Sequence, residues 1–404
     1  MIDSREEMII ALSEAAELEH GLLCQYLFAA FSMKRHPEEG ISWAQVERLR
    51  TWERQILSVA REEMAHLGTV CNLLSAIGGA PHFGRPDFPQ PARYFPALEG
   101  DEPVAFSLER LSETTISRFV RFESPESDLL EAAIDIAPDP LRYRTVGELY
   151  GQIKDAFQVL DEQSLFIGPQ TSQDDNDWSA GLRLHKVIDR VSAVAAIEAV
   201  VEEGEATPTA GPDSHYERFL TVREELREEQ QRVPTFDPAR PVVDNPRTRP
   251  PEGSHRGAVI TDPLALALSE LFNAFYTTMV LMLVQFYVFA EETPVQRRGL
   301  QASIRQSMSG IVRPLAELLT TLPAGPEFPD RTAGPGFELY SPPMLPRDTT
   351  TAWTVMTERL FHAADACLEL SRQDGAPPRL ALLHENMVIL ARNVDRLMPN
   401  RSQA

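Results

Sequence analysis

The sequence predicts an all-α protein, a four-helix bundle followed by a second, C-terminal helical domain, and three observations carry that prediction. Apolar residues recur at helical spacing through most of the 404 residues. No stretch shows the alternation expected of a half-buried strand, and no fixed-period repeat is present. In the first half, carboxylates and histidines break into the apolar stripes at core-facing steps, where a charge is costly without a partner.

Ser4 precedes a run from Arg5 to Lys34 with apolar or small residues at 12, 16, 23, 27 and 30. Ser42 opens a second run to about Ile77, stopped by Gly78-Gly79 and Pro81. Residues 80–105 are rich in proline and aromatics and read as a long loop. Shorter helices near 107–122 and 145–164 follow, and a fourth major helix runs from near His185 to about Glu203. Residues 233–263 hold seven prolines and almost no apolar period. They suggest a bundle over 1–232, a proline-rich linker over 233–262 and a helical domain over 263–404, with ordered packing of that segment across the bundle as the alternative. Helices near 263–293, 295–321, 348–372 and 378–398 fill the last domain, around a Pro/Gly-rich loop at 322–347.

Leu271 to Ala290 is twenty residues without a charge, long enough to cross a bilayer. Asn273, Thr277, Thr278 and Gln285 interrupt it and its flanks are acidic, so it reads as a core helix. The net charge of −22 argues against nucleic acid or an anionic membrane as partner. Cys24, Cys71 and Cys367 lie far apart in apolar stretches, as small buried hydrophobes in a reducing cytoplasm. The acidic amino terminus lacks the basic start of a signal peptide, so a cytoplasmic location is expected.

Glu63 and His66 in REEMAH are one helical turn apart. Ile56, Val59 and Val70 share their face, so both side chains point at the core, where a metal ion satisfies them together. Glu19 interrupts the stripe through Leu12, Ala16, Leu23 and Leu27, while His20 faces more to the side. Two-metal carboxylate sites in four-helix bundles take one Glu from each of two helices and a Glu-x-x-His from each of the other two. Glu148, beside the apolar line Leu149, Ile153 and Phe157, is the leading second single Glu, unless it merely favours a helix N-terminus. In the fourth helix Glu205 and His215 are ten apart. If Ala206 to Pro212 loops out and the helix resumes at Asp213 under an Asp213 or Ser214 cap, the pair recovers one-turn spacing. Glu202 is the alternative to Glu205.

The stretches LEHGLLCQYLFAAFS (18–32), VAREEMAHLGTVCNLLSAIGG (59–79), TVGELYGQI (145–153), EEGEA (202–206) and DSHYERF (213–219) resemble the ferritin-like domain of the iminophenyl-pyruvate dimer synthase type, known from bacterial secondary metabolism including the violacein pathway. The resemblance continues through LFNAFYTTMVLML (271–283) and TAGPGFELY (332–340). It implies a dinuclear centre, iron or else manganese, with Glu19, Glu63, His66, Glu148, Glu205 and His215 as ligands. The family's usual Gln-Gly-Glu-Gly reads Glu203-Gly204-Glu205-Ala206 here, and the extra acid leaves the choice of carboxylate open.

The expected function is a dimetal oxidoreductase that uses dioxygen or peroxide to oxidise or oxidatively couple a small amino-acid-derived substrate. A partner enzyme in a biosynthetic pathway is a further expectation, and the oligomeric state stays open. The rivals are a catalase-like peroxide-disproportionating enzyme and a non-enzymatic metal-binding protein. Gly-rich phosphate or dinucleotide motifs are absent, which argues against nicotinamide and flavin cofactors. Arg331, Glu338 and Tyr340 read as a solvated loop, the four tryptophans as packing, and His362 and His384 as surface residues.

Overall fold

The computed structural model describes residues 2–90, 106–124, 143, 145–175, 177–179, 182–204, 213–250, 257–288 and 291–398. They form two compact units, Met1–His82 with Pro89–Arg240, and Phe83–Phe88 with Pro241–Ala404.

The first unit begins with α1, Arg5–Ser32, whose N-cap Ser4 accepts from the Glu7 amide. Every residue from Leu18 to Ser32 is buried, so this half of α1 has no solvated face and runs through the centre of the unit. Helix α2, Trp43–Ala76, starts in a capping box between Ser42 and Gln45. Its buried positions, Val46, Leu49, Trp52, Ile56, Val59, Glu63, His66 and Val70, fall at steps of three and four along one face. Gly78, at φ 83°, turns the chain out of α2 while Gly79 N–H closes on Leu74 O at 2.8 Å.

Among the described residues of the unit, four further helices of ten residues or more follow: α3 Glu113–Phe122, α4 Val146–Val159, α5 Arg190–Gly204 and α6 His215–Arg232. Ser112, Thr145 and Ser214 cap α3, α4 and α6 through their hydroxyls. Helix α1 lies along α2, α3 along α6 and α4 along α5, while α4 meets α1 and α2 meets α5 and α6. That pattern is an antiparallel four-helix bundle whose third member is α3 then α4 and whose fourth is α5 then α6. Both members are broken at one level, where α3 and α5 end and α4 and α6 begin. One short antiparallel ladder, Asp177–Ser179 with Leu182–Arg183, lies outside the helices.

In the second unit α7, Pro263–Tyr287, is capped by Asp262, and its run from Leu271 is almost wholly buried. It is long and apolar enough to cross a membrane, yet 78% of its most apolar window is buried inside the protein. Helices α8, Pro294–Ser307, and α9, Arg313–Leu319, are joined by a π-turn over Met308–Val312. Pro314 has no N–H for the Gly310 carbonyl, and the Asn386 side chain donates to that carbonyl at 3.2 Å instead. Helices α10, Thr349–Ser371, and α11, Arg379–Arg396, pair with each other, and α10 covers α7.

Glu338 is not solvated, contrary to the expectation for its loop. It is 3% exposed. Its Oε2 accepts from the Thr248 amide at 2.8 Å, the Thr248 hydroxyl at 2.7 Å and the Asn273 amide at 2.9 Å. Buried carboxylates require such partners, and these pin the Pro/Gly-rich segment onto α7. Trp52 and Trp353 are buried as expected of packing residues, whereas Trp43 is exposed on the first turn of α2.

Candidate metal centre

The level at which the bundle breaks is also where its buried charges meet. Helix α1 delivers Glu19, and α2 delivers Glu62, Glu63 and His66. The end of α3 places Glu123, and the start of α6 places His215. Glu19, Glu63, His66, Glu123 and His215 are each at most 4% exposed. They form two triads that share one carboxylate, Glu19–Glu63–His66 and Glu63–Glu123–His215, with the candidate ligand atoms of each triad within 4.8 Å of one another.

Both imidazoles turn Nδ1 toward the shared carboxylate. His66 Nδ1 lies 3.3 Å from Glu63 Oε2 and 3.7 Å from Glu19 Oε2. His215 Nδ1 lies 2.9 Å from Glu63 Oε1 and 3.6 Å from Glu123 Oε2. The rings stack with centroids 5.4 Å apart. Each Nε2 faces outward to a second carboxylate. His66 Nε2 lies 3.1 Å from Glu203 at the end of α5, and His215 Nε2 lies 2.9 Å from Glu62. Arg218, one turn along α6 from His215, donates to both Glu62 oxygens at 2.8 and 2.9 Å. On the inner side, the Tyr26 hydroxyl donates to Glu123 and the Tyr150 hydroxyl to Glu19.

These neighbours set the ionisation. Burial and then the charge of Glu63 push Glu19 up to about 8, and the same two causes raise Glu123. Burial opposes the charge on Glu63, yet His215 and the hydrogen bonds around it hold its carboxyl well below the usual range. Burial likewise opposes charging of both imidazoles, but the surrounding carboxylates hold their pKa values well above the ordinary histidine value. Burial acts against ionised Glu62 too, but His215 and Arg218 bring it down to about 2.

The donor set fits two metal ions. Three carboxylates and two imidazoles converge out of water, and Glu19 Oε2 is buried without a hydrogen bond. A dication held by each triad would offset the charge of the acids and give Glu19 Oε2 a partner. Hard oxygen and imidazole donors without a thiolate suit iron or manganese.

Of the residues predicted from sequence, Glu19, Glu63, His66 and His215 come together here. Glu148 stands half-buried in the first turn of α4, outside both triads. Glu202 is exposed on the last turn of α5, and Glu205 lies outside the described residues. Glu123, Glu62, Tyr26 and Tyr150 were not singled out from sequence. Glu123 extends the stripe Ile116, Phe119, Val120 by one more step, a signal hidden because the helix ends just before it. No comparable signal marks Glu62, whose imidazole partner comes from a distant helix.

Comparison with known proteins agrees with this architecture. The sequence pattern of a family described as ferritin-like matches residues 12–224. The chain is 30% identical over 90% of its length to dichlorochromopyrrolate synthase of Lentzea aerocolonigenes. It is 29% identical over 83% of its length to 2-imino-3-(indol-3-yl)propanoate dimerase of Chromobacterium violaceum. It spans only 39% and 34% of those two curated relatives. Among solved structures, a ferritin-like protein from Caulobacter vibrioides matches 74% of this chain and 93% of its own at a TM-score of 0.50 and 20% identity, a likeness of fold.

Proposed function

The chain belongs to the ferritin-like family, and on that premise we propose that it is a two-metal oxidoreductase acting on a small amino-acid-derived substrate. The observation that carries this reading is the pair of buried triads sharing Glu63. Glu19, Glu63, His66, Glu123 and His215 would hold two transition metals, iron or else manganese, with Glu148 and Glu205 as further candidate ligands. Such metals supply redox chemistry toward dioxygen or peroxide.

The protein's own groups hold the geometry. Glu62 and Glu203 accept from the outer imidazole edges and so keep both Nδ1 atoms turned inward. Tyr26 and Tyr150 each fix one oxygen of a carboxylate that belongs to a single triad, leaving its other oxygen to bind. The bundle buries the five inner groups, which strengthens the charge interactions among them.

One relative is named for dimerising 2-imino-3-(indol-3-yl)propanoate, and the overlap with it supports an imino acid or related amine as substrate. Joining two such molecules by a new carbon–carbon bond removes two protons and two electrons, which dioxygen or peroxide would accept. The test is elemental analysis, then incubation of the iron-loaded chain with dioxygen and the imine, made in place from tryptophan by an amino-acid oxidase. Two metals per chain and a metal-dependent organic product are expected. Peroxide breakdown with no organic product would favour the catalase-like rival.

A further inference from the structure

The two imidazoles of the centre are held differently from outside. His215 is fully buried, and its Nε2 partner Glu62 receives Arg218 on both oxygens. His66 has Glu203 in the matching place, on the last turn of α5, and that side chain is 53% exposed. Among the described residues no lysine or arginine pairs with Glu203.

A cavity of about 20 Å³ lies against one side of the centre, lined by Glu19, Glu63, His66 and Glu123 with Val200 and Gly204 of α5. That is room for roughly one water-sized group. His215 does not line it. Glu19 does, and its Oε2 is the buried carboxylate oxygen without a hydrogen bond. An unpaired acid in so small a space is satisfied by a cation.

We propose that the Glu19–Glu63–His66 triad is the entry side of the centre: a divalent cation reaches it by way of Glu203, and the Glu63–Glu123–His215 triad fills through it and exchanges more slowly. This rests on the two-metal reading. Glu203 stands in solvent at one end and on His66 at the other, and exposed Glu202 adds negative charge beside it. Behind His215 the charge is reversed, because Arg218 repels a dication approaching past Glu62. Glu63 joins the two sides, with Oε2 toward His66 and Oε1 toward His215. An ion can therefore pass from one triad to the other without leaving that carboxylate.

The test follows cobalt(II) uptake by metal-free protein in stopped flow, then removal of the metal by excess EDTA. Wild type should bind two ions and release them in two phases whose rates differ at least about tenfold. Glu19→Ala should lose the fast phase and keep the slow one. Glu203→Gln keeps an acceptor oxygen for His66 but no charge. It should still bind two ions and take up the first about tenfold more slowly. Glu202→Gln removes the same charge one residue away from the His66 contact and should load close to the wild-type rate. The Glu203→Gln result stands by itself if Glu19→Ala does not fold, since an exposed side chain is altered. Release of both ions in one phase, loss of the slow phase in Glu19→Ala, wild-type uptake by Glu203→Gln, or equal slowing by Glu202→Gln would each overturn the proposal. A wild type that binds fewer than two cobalt ions would instead overturn the two-metal reading beneath it.

Discussion

Glu62 lies 2.9 Å from Nε2 of His215, while its neighbour in sequence, Glu63, lies 2.9 Å from Nδ1 of the same ring. Two consecutive residues of α2 thus hold opposite edges of one imidazole. Such an outer carboxylate fixes a ligand's orientation, and losing one weakens metal binding about 10–100-fold. Glu62→Ala should therefore weaken one of two steps in a cobalt(II) titration, and Glu62→Gln, which keeps an acceptor oxygen, should recover part of it. Identical titrations for both variants would show that Glu62 serves Arg218 alone.

The triads share Glu63 but not Glu19 or Glu123, and this predicts unequal losses. Glu63→Ala should strip both metals, whereas Glu19→Ala and Glu123→Ala should each strip mainly one. Metal counts per chain by elemental analysis separate the cases, and the thermal midpoint should fall with metal content. Full metal retention in Glu123→Ala would remove it from the site.

Away from the centre, Arg240 donates to Glu39 at 2.5 Å. Burial works against the charged carboxyl, but Arg240 and backbone amides outweigh it and lower the Glu39 pKa below 4.5. A lowered folded-state pKa contributes stability above the unfolded value and loses it as pH falls through the folded one. Arg240→Ala should thus cost about 1 kcal/mol at neutral pH, a difference from wild type that closes as pH falls through the lowered Glu39 value. Urea melts at several pH values give the comparison.

In the second unit, Glu338→Ala leaves the Thr248 amide and the Asn273 side chain without their acceptor. Unpaired buried donors cost about 1–3 kcal/mol each, so this variant should melt clearly earlier than wild type. Hydrogen exchange at the Thr248 amide should rise most. Unchanged protection there would mean that the network contributes nothing to order in this segment.

The helices were legible where local chemistry writes them: Ser4 before α1, Ser42 before α2 and Gly78 after it. Glu63 and His66 were legible because one-turn spacing on an apolar face is a local signal. His215 followed from the small, Pro-containing residues before it and from the cap at Ser214. Glu123 was not, because the break after α3 ends the period one residue too early. Glu62 and Glu338 were hidden for another reason. Their partners lie 153 and 65–90 residues away, and no local pattern encodes a pairing across that distance.

The sharing of Glu63 has a consequence for variation. Glu19 stands on α1 and Glu63 with His66 on α2, so the first triad needs only these two long helices. The second triad also needs the end of α3 and the start of α6. A change that loosens α3 or α6 should therefore disturb Glu123 and His215 and leave Glu19 and His66 in place, so a descendant of this chain could lose half of its centre without losing the other half.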